Sequence, residues 1–281
     1  MKRNILWNAM LTMVMIFSMN IATMAQTSFK ECFKTMMERN LINNNFKSED
    51  LKEAYVQILM AGGTDQASAQ NLAEEYIQQQ FKNDMIDCVM PYYQSVMTID
   101  DVQQILTLTH TTTGKMALQN IGKVNELMNT PEVQNYMQSA VMQMIQGQDP
   151  TPLAAQTPAS YQNKFNQYWE CNHMDEMMSN IVESIGAGMA NVMGNQEQQK
   201  VFENFMTKFG KFMKTNMKTL LTNESSQQVT EADLDFYVKT FSTPVGQKFI
   251  QGNLNLSKNT MKVGENIVQK FQLWAQKKIN Q

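Results

Sequence analysis

The feature that most constrains this chain is a motif that occurs twice, in register. The first copy runs from Thr98 to Asn120, and the second runs from Thr230 to Asn253. We call the separation of Thr98 from Thr230 the repeat offset. Gly114 and Gly246 have the same separation, so no insertion distinguishes the copies up to this glycine. Repeats of solenoid proteins are about 20–50 residues long. The much longer repeat offset predicts two similar domains in tandem, produced by an internal duplication.

The composition between the two copies predicts where one domain ends. Residues 146–160 hold three of the six prolines and few large apolar side chains, which is typical of a linker. We predict four segments: a signal peptide at 1–25, a first helical domain at 26–146, a proline-rich linker at 147–160, and a second helical domain at 161–281. The pattern leaves open whether the two domains pack together or move independently.

Apolar residues recur at helical spacing along nearly all of the chain, which predicts an all-α fold of two similar helical bundles. Helix starts agree with this pattern. Thr98 and Thr230 each stand three residues before an aspartate, the spacing of a capping box. Upstream of the first motif, the periodicity predicts one long helix from about Asp65 to Val89, bent or ended at Pro91.

The second part of the motif predicts a tight corner followed by another helix. Thr111 and Thr243 can cap that helix, and Pro244 fits its first position. Gly114 and Gly246 fall near its third position, where glycine costs roughly 1 kcal/mol relative to alanine. Their recurrence predicts that the corner packs closely on the preceding helix. An anion bound at the helix N-terminus is the functional alternative, but the neighbouring polar groups differ between the copies.

The N-terminus has the pattern of an export signal. Lys2 and Arg3 precede a mostly apolar stretch at 5–17, and small residues ending at Ala25 offer a cleavage site before Gln26. A retained membrane anchor is the alternative, although polar residues interrupt the apolar stretch. We therefore predict a periplasmic or secreted protein with no membrane span after cleavage.

Charge and cysteine content limit the possible partners. The net charge is −3, and removal of Lys2 and Arg3 with the signal peptide makes it −5. This balance argues against nucleic acid as a partner. Cys32, Cys88 and Cys171 have no zinc-site or redox-motif spacing. An oxidising compartment would permit one disulfide, whose pairing the sequence does not determine, and no cofactor is expected.

No catalytic signature is present in the sequence. It contains no nucleophile elbow, no zinc-protease helix motif and no phosphate-binding glycine loop. His110 lies inside the repeated motif, but Ser242 occupies the corresponding position of the second copy. The motif therefore does not require a histidine, and we predict that the protein is not an enzyme and has no catalytic residues.

Methionine is unusually frequent, with 26 residues in the chain. At helical spacing Cys171, Met174 and Met178 share one face, and His173 and Met177 lie beside it. Thiolate, thioether and imidazole groups suit a soft metal such as Cu(I). The alternative, which we favour, is that methionines fill gaps between helices and form a pliable apolar groove. No metal is expected, and these five residues are the candidates if one binds.

The second copy also carries a family resemblance. Its pattern is a threonine-capped acidic start, an aromatic-rich helix and a Ser/Thr-Pro-x-Gly corner, formed by Thr230, Glu231, Phe236, Tyr237, Phe241, Ser242, Thr243, Pro244, Gly246, Gln247 and Lys248. This pattern resembles the bacterial family called "domain of unknown function 2059". The first copy keeps Thr98, Thr111, Gly114 and Lys115, but has Thr109 for the aromatic residue and Thr112 for the proline. The resemblance implies two tandem copies and an exported helical bacterial protein, and it assigns no catalytic residue.

These observations favour an exported, non-catalytic helical protein of the bacterial envelope. Its methionine-rich faces suit the binding of an apolar ligand or a protein partner through inter-helix grooves. Binding of copper or a similar soft metal through methionine, cysteine and histidine is the alternative function. An enzyme is the third possibility, and it would require a pocket that gathers ionisable groups with shifted pKa values.

Overall fold

The computed structural model describes residues 28–38, 48–127, 130–190 and 196–280, so the predicted signal peptide lies outside it. These residues form thirteen α-helices and no strand, which confirms the all-α prediction. In chain order the helices are α1 (Phe29–Glu38), α2 (Ser48–Ala61), α3 (Gln66–Gln79), α4 (Phe81–Gln94), α5 (Ile99–Leu108), α6 (Thr112–Leu127), α7 (Pro131–Ile145), α8 (Ala159–Cys171), α9 (Met174–Ala190), α10 (Gln196–Ser225), α11 (Glu231–Phe241), α12 (Pro244–Ser257) and α13 (Thr260–Ile279).

Each half of the chain contributes a set of helices that pack on one another. In the first half, from α1 to α7, helices α2 and α3 form a hairpin, α3 leads into α4, and α1 packs on α4 and α5. In the second half, from α8 to α13, helix α8 packs on α9 and α11, and α9 packs on α10. The two sets of helices are not separate in space, because the last two helices of each half contact helices of the other half.

We call these last helices the arms. The first arm, α6 and α7, has its main helix contacts with α11 and α10 of the second half. The second arm, α12 and α13, packs on α4, and it also contacts α5 and α3 of the first half. Both helices of the second arm additionally contact α9. The two halves are therefore interlocked by their arms.

The predicted single helix over 65–89 is wrong. The helix is interrupted at Gln80, which separates α3 from α4, and Pro91 lies inside α4. Side chains on both sides of the break hold it in place. The hydroxyl of Tyr76 donates to Asp84 at 3.0 Å, and the side-chain amide of Gln80 donates to the same carboxylate at 3.1 Å. Helical periodicity continues through such a break, so the sequence pattern alone did not reveal it.

Seven aromatic rings form a continuous series of contacts through the core, from α1 to α8. We call this series the aromatic chain. Its members, in order of contact, are Phe33, Tyr93, Phe249, Phe241, Tyr237, Tyr168 and Phe165, with successive centroids 4.3–5.6 Å apart. All seven side chains are buried. Because these rings come from both halves, they join the halves into one core.

Tyr93 is the ring at which α4 meets α12. Its hydroxyl is bonded to the side-chain oxygen of Asn253. A Cβ atom on Gly252 would lie 2.4 Å from Cδ1 and 2.8 Å from Cε1 of Tyr93, closer than real side-chain contacts allow. Glycine is thus required at this position because the ring lies directly against the helix backbone. Complete burial raises the pKa of Tyr93 well above its ordinary value, so the phenol stays neutral.

The segment between α7 and α8 is bound to α10 by two asparagines. The side-chain amide of Asn216 donates to the carbonyl oxygen of Thr151 at 2.9 Å. The side chain of Asn223 donates to the carbonyl oxygen of Ala154 at 3.0 Å and accepts the N–H of Gln156 at 2.9 Å. The division of the chain into domains at 147–160 stays a prediction, and these bonds place most of that segment against α10.

The close contact at Gly252 can be tested by adding one methyl group. We expect Gly252→Ala to lower the free energy of unfolding by about 1–3 kcal/mol, because the buried Tyr93 ring has to move. Gly122 is the matched control. It lies inside α6, and a Cβ atom there would meet nothing within 4 Å. Gly122→Ala should therefore stabilise the protein by up to about 1 kcal/mol. Urea unfolding followed by circular dichroism measures both, and equal stabilisation by the two substitutions would contradict the contact.

Candidate functional site

Thr98 and Thr230 begin α5 and α11 in the same way. Oγ1 of Thr98 accepts the N–H of Asp101 at 3.2 Å, and Oδ2 of Asp101 accepts the N–H of Thr98 at 2.8 Å. Thr230 and Asp233 repeat this pair of bonds at 3.2 Å and 3.0 Å. Both helices therefore begin with a complete capping box.

The second corner joins α11 to α12. Oγ1 of Thr243 accepts the N–H of Gly246 at 3.1 Å, and its hydroxyl donates to the carbonyl oxygen of Thr240 at 2.7 Å. Pro244 occupies the first helical turn, where the missing N–H has no cost. A Cβ atom on Gly246 would lie 2.5 Å from Cα of Phe241. The corner is thus packed so closely on the end of α11 that only glycine fits.

The first corner joins α5 to α6 and depends on the other half. Oγ1 of Thr111 accepts the N–H of Gly114 at 3.0 Å, so the cap is the same. A Cβ atom on Gly114, however, would lie 2.9 Å from Cζ of Phe236, which belongs to α11. Thr109 stands where the second copy has a phenylalanine; it is buried, and its hydroxyl donates to the carbonyl oxygen of Ile105 at 2.9 Å. Phe236, which belongs to the second half, therefore contributes to the crowding at this corner.

The capping boxes also bind the arms. Lys248 on α12 donates to both carboxylate oxygens of Asp101 at 2.8 Å. Asn120 on α6 donates to the carboxylate of Asp233 at 3.1 Å. Asp101 and Asp233 are the same position of the motif, separated by the repeat offset. Each half therefore binds the arm of the other half at an equivalent aspartate.

The contact with Lys248 lowers the pKa of Asp101. Burial by itself would raise the pKa of Asp101, but the ammonium of Lys248 and the bonds from Thr98 outweigh it and hold the pKa below its ordinary value. The carboxylate is therefore stabilised in the folded state relative to an unfolded pKa of about 3.9. This contribution to stability is present above that value and is lost as the pH falls through the lower, folded-state pKa.

A second reciprocal contact, which the sequence analysis missed, lies at Asp84 and Asn216. Asp84 on α4 is buried and pairs with Lys270 of α13 at 3.3 Å. Asn216 on α10, which follows Asp84 by the repeat offset, donates to the hydroxyl oxygen of Tyr136 on α7 at 2.6 Å. Both positions hold a side chain from the last helix of the other half. Extending the comparison of the two copies along α4 would have singled out this pair.

None of the three cysteines forms a disulfide. Cys32 and Cys88 are buried, whereas Cys171 is half-buried with its Sγ 3.7 Å from Oγ of Ser242. Burial, which Lys270 opposes in part, raises the pKa of Cys88 to about 11. Its thiol is therefore protonated at neutral pH, the unreactive form.

The five candidate soft-metal ligands divide between the core and the surface. Met174, Met177 and Met178 are buried at the start of α9. Cys171 is the last residue of α8, and His173 is exposed in the following turn with a φ of 50°. Across the described ranges, no group of three or more His, Cys, Asp or Glu side chains could hold a metal ion. Soft-metal binding by these five residues stays a prediction.

The first corner exposes apolar side chains where the second does not. Leu108 and Met116 flank it and are 40% and 58% exposed, with the exposed His110 between them in the chain. Their counterparts in the second copy are Thr240, which is buried, and Lys248, which is bound to the capping box of α5. We call Leu108, His110 and Met116 the first-corner surface. It is the clearest difference in surface chemistry between the two corners.

Residues 216–272 match the family described as "Uncharacterized protein conserved in bacteria (DUF2059)". Over this range the chain resembles that family. The match runs from the C-terminal part of α10 into α13, so it confirms the resemblance seen in the second copy, while residues 98–120 lie outside it. No curated protein and no solved structure gives a significant match to the chain. No helix among the residues described is both long and apolar enough to cross a membrane.

The charge at Asp101 can be separated from its capping role. Asp101→Asn keeps an acceptor for the capping N–H but loses the charge that pairs with Lys248. We expect it to lower the free energy of unfolding by about 1 kcal/mol near pH 7. Asp233→Asn is the matched control, because its partner Asn120 is neutral and the loss should be smaller and insensitive to salt.

The effect of Asp101→Asn should also depend on pH. Its difference from the wild type should shrink as the pH is lowered from about 5 towards about 2, because the wild-type carboxylate then becomes protonated. Urea unfolding at several pH values measures this. A loss of stability that is equal in both variants and constant with pH would contradict a charge-dependent contact.

Proposed function

We propose that this protein is an exported, non-catalytic helical protein of the bacterial envelope that binds a protein partner through the first-corner surface. The supporting observation is the exposure of Leu108 and Met116 at positions where the second copy has residues engaged within the fold. Exposed apolar side chains gathered on one surface are characteristic of interaction sites. Folding alone would not require them, since the second corner forms with a threonine and a lysine there.

We propose further that the chain arose by internal duplication of one helical unit. The equal capping boxes at α5 and α11 support this origin. So does the register of buried residues on α4 and α10, where Met85 and Val89 correspond to Met217 and Leu221 at the same repeat offset. In this view the shared residues maintain the fold, and residues that differ between the copies are free to provide binding.

The environments of the buried ionisable groups support a non-catalytic role. Asp84 and Asp101 are each committed to contacts between helices. The thiol of Cys88 is protonated and buried. Catalysis usually requires an ionisable group that is poised near the working pH and can reach a substrate. The two carboxylates instead pair with Lys248 and Lys270 of the second arm.

Export can be tested at the proposed cleavage site. The protein recovered from the periplasm or medium should begin at Gln26, as measured by intact-mass analysis. Signal peptidase requires a small residue directly before the cut, so Ala25→Arg should block processing and leave the longer chain with the membrane. Met24→Ala, one position earlier, is the control and should be processed normally. An unprocessed chain recovered from the cytoplasm would contradict the proposal.

Binding at the first-corner surface can be tested by photo-crosslinking in cells. A photoreactive amino acid at Leu108 should give one discrete protein adduct, identified by mass spectrometry. The same amino acid at Ala232, which is exposed on α11, is the control and should give none. Met116→Lys, which copies the residue of the second motif, should abolish the adduct at Leu108.

The outcomes of this experiment distinguish the possible occupants. An adduct with the mass of a small molecule would identify an apolar ligand and contradict a protein partner. Absence of any adduct at Leu108, or the same adduct at Ala232, would contradict binding at this surface.

A further inference from the structure

Two pairs of equivalent positions bind the opposite arm of the chain. Each pair consists of one residue in the first half and its counterpart in the second half, separated by the repeat offset. The contacts are Asp101 with Lys248, Asp233 with Asn120, Asp84 with Lys270, and Asn216 with Tyr136. In each pair the first-half residue holds the second arm, and the second-half residue holds the first arm.

Such reciprocity is characteristic of a twofold interface. In an isologous contact, one position of each unit meets the same region of its partner in both directions. A head-to-tail array of repeats behaves differently, because each unit presents one face to the next unit and a different face to the previous one. The contacts between the halves of this chain follow the first pattern.

The two ends of the aromatic chain also lie at equivalent positions of the two halves. Phe29 stacks on Phe33 in α1 with centroids 5.9 Å apart, and Tyr161 stacks on Phe165 in α8 at 6.4 Å. The two stacked pairs are again separated by the repeat offset. Because the aromatic chain begins at Phe33 and finishes at Phe165, it runs between equivalent positions of the two halves.

The first arm has its packing surface in the other half. Ala117, Ile121 and Val124 form a buried stripe along α6, and the main helix contacts of α6 are with α10 and α11. Full burial of an isoleucine or valine side chain contributes about 1.5–3 kcal/mol. The first half by itself would leave this stripe exposed to water.

We propose that the two halves hold each other across an approximate twofold axis by exchanging their arms, as the subunits of an arm-exchanged dimer do. Each half therefore binds the other half, which has a similar sequence and fold. The segment at 146–158 is not what holds the two halves together. That segment acts by keeping the local concentration of the halves high. None of these contacts includes the first-corner surface, so the proposal is separate from the proposed function.

Cleavage of the folded, full-length protein tests this proposal. A recognition site for a specific protease is inserted between Gln148 and Asp149, both exposed, and the purified protein is cut. We expect the two fragments to co-elute in size-exclusion chromatography and to separate only in denaturant. The melting temperature of the cut protein should rise with its concentration, because unfolding now releases two chains, whereas that of the uncut protein should not.

Two alternative results would overturn the proposal. Separation or precipitation of the fragments in native buffer would mean that the connection holds the halves together. Two thermal transitions in the uncut protein, with Asp101→Asn shifting only one of them, would mean that the halves fold independently.

Variants of the reciprocal contacts give a second, independent measurement. Asn120→Ala combined with Lys248→Ala removes one reciprocal contact from each arm and should raise the dissociation constant of the cut fragments about tenfold or more. Gln119→Ala combined with Lys239→Ala is the matched control, because both residues are exposed, and it should leave the constant unchanged. An equal effect of the two double variants would contradict arm exchange at these sites.

Reassortment identifies the partner directly. Cut protein is mixed with cut protein whose second fragment carries a mass tag, and the mixture is unfolded and refolded. Native mass spectrometry should find tagged and untagged second fragments equally distributed among the complexes. Failure of the fragments to re-form any complex would contradict the proposal.

Discussion

The contact of Tyr93 with the backbone of α12 is the one on which the rest of the arrangement depends. Because Gly252 has no side chain, the ring lies against the helix and reaches Asn253, while it packs between Phe33 and Phe249. This contact fixes where α12 crosses α4. The corner at the start of α12 fixes the angle at which it leaves α11. The crossing point and the angle of α12 together determine how the second arm packs on the first half. The remaining contacts of the arm depend on that packing.

The sequence predicted the local parts of this arrangement well and the long-range parts poorly. A cap such as Thr243 needs only a partner three residues later, and a repeated glycine indicates crowding wherever it lies. The partner of Asp101 could not be predicted from local sequence in this way. Lys248 is 147 residues away, and a capping box gives no indication of which lysine will reach its carboxylate. The break at Gln80 was missed for a different reason: the bonds from Tyr76 and Gln80 to Asp84 are local, but the helical periodicity of the sequence continues through the break.

The two corners show how far a repeated motif can diverge while its backbone course is kept. The second corner is crowded by its own preceding helix. The first has Thr109 in place of the ring and is crowded in part by Phe236 from the other half. The two corner glycines are therefore crowded by different groups, although sequence comparison treats the two as one feature. The same divergence leaves Met116 exposed where the second copy forms its bridge to Asp101.

Because the arms are interlocked, one interacting surface is synthesised well before the surface that buries it. The first arm is synthesised before α10 and α11, and ribosomes add about 5–20 residues per second. Ala117, Ile121 and Val124 therefore leave the ribosome seconds before the surface that buries them exists. A chain that began to fold during synthesis would expose this stripe to aggregation. A chain held unfolded until it is complete, as the proposed export through a membrane pore would require, avoids that interval.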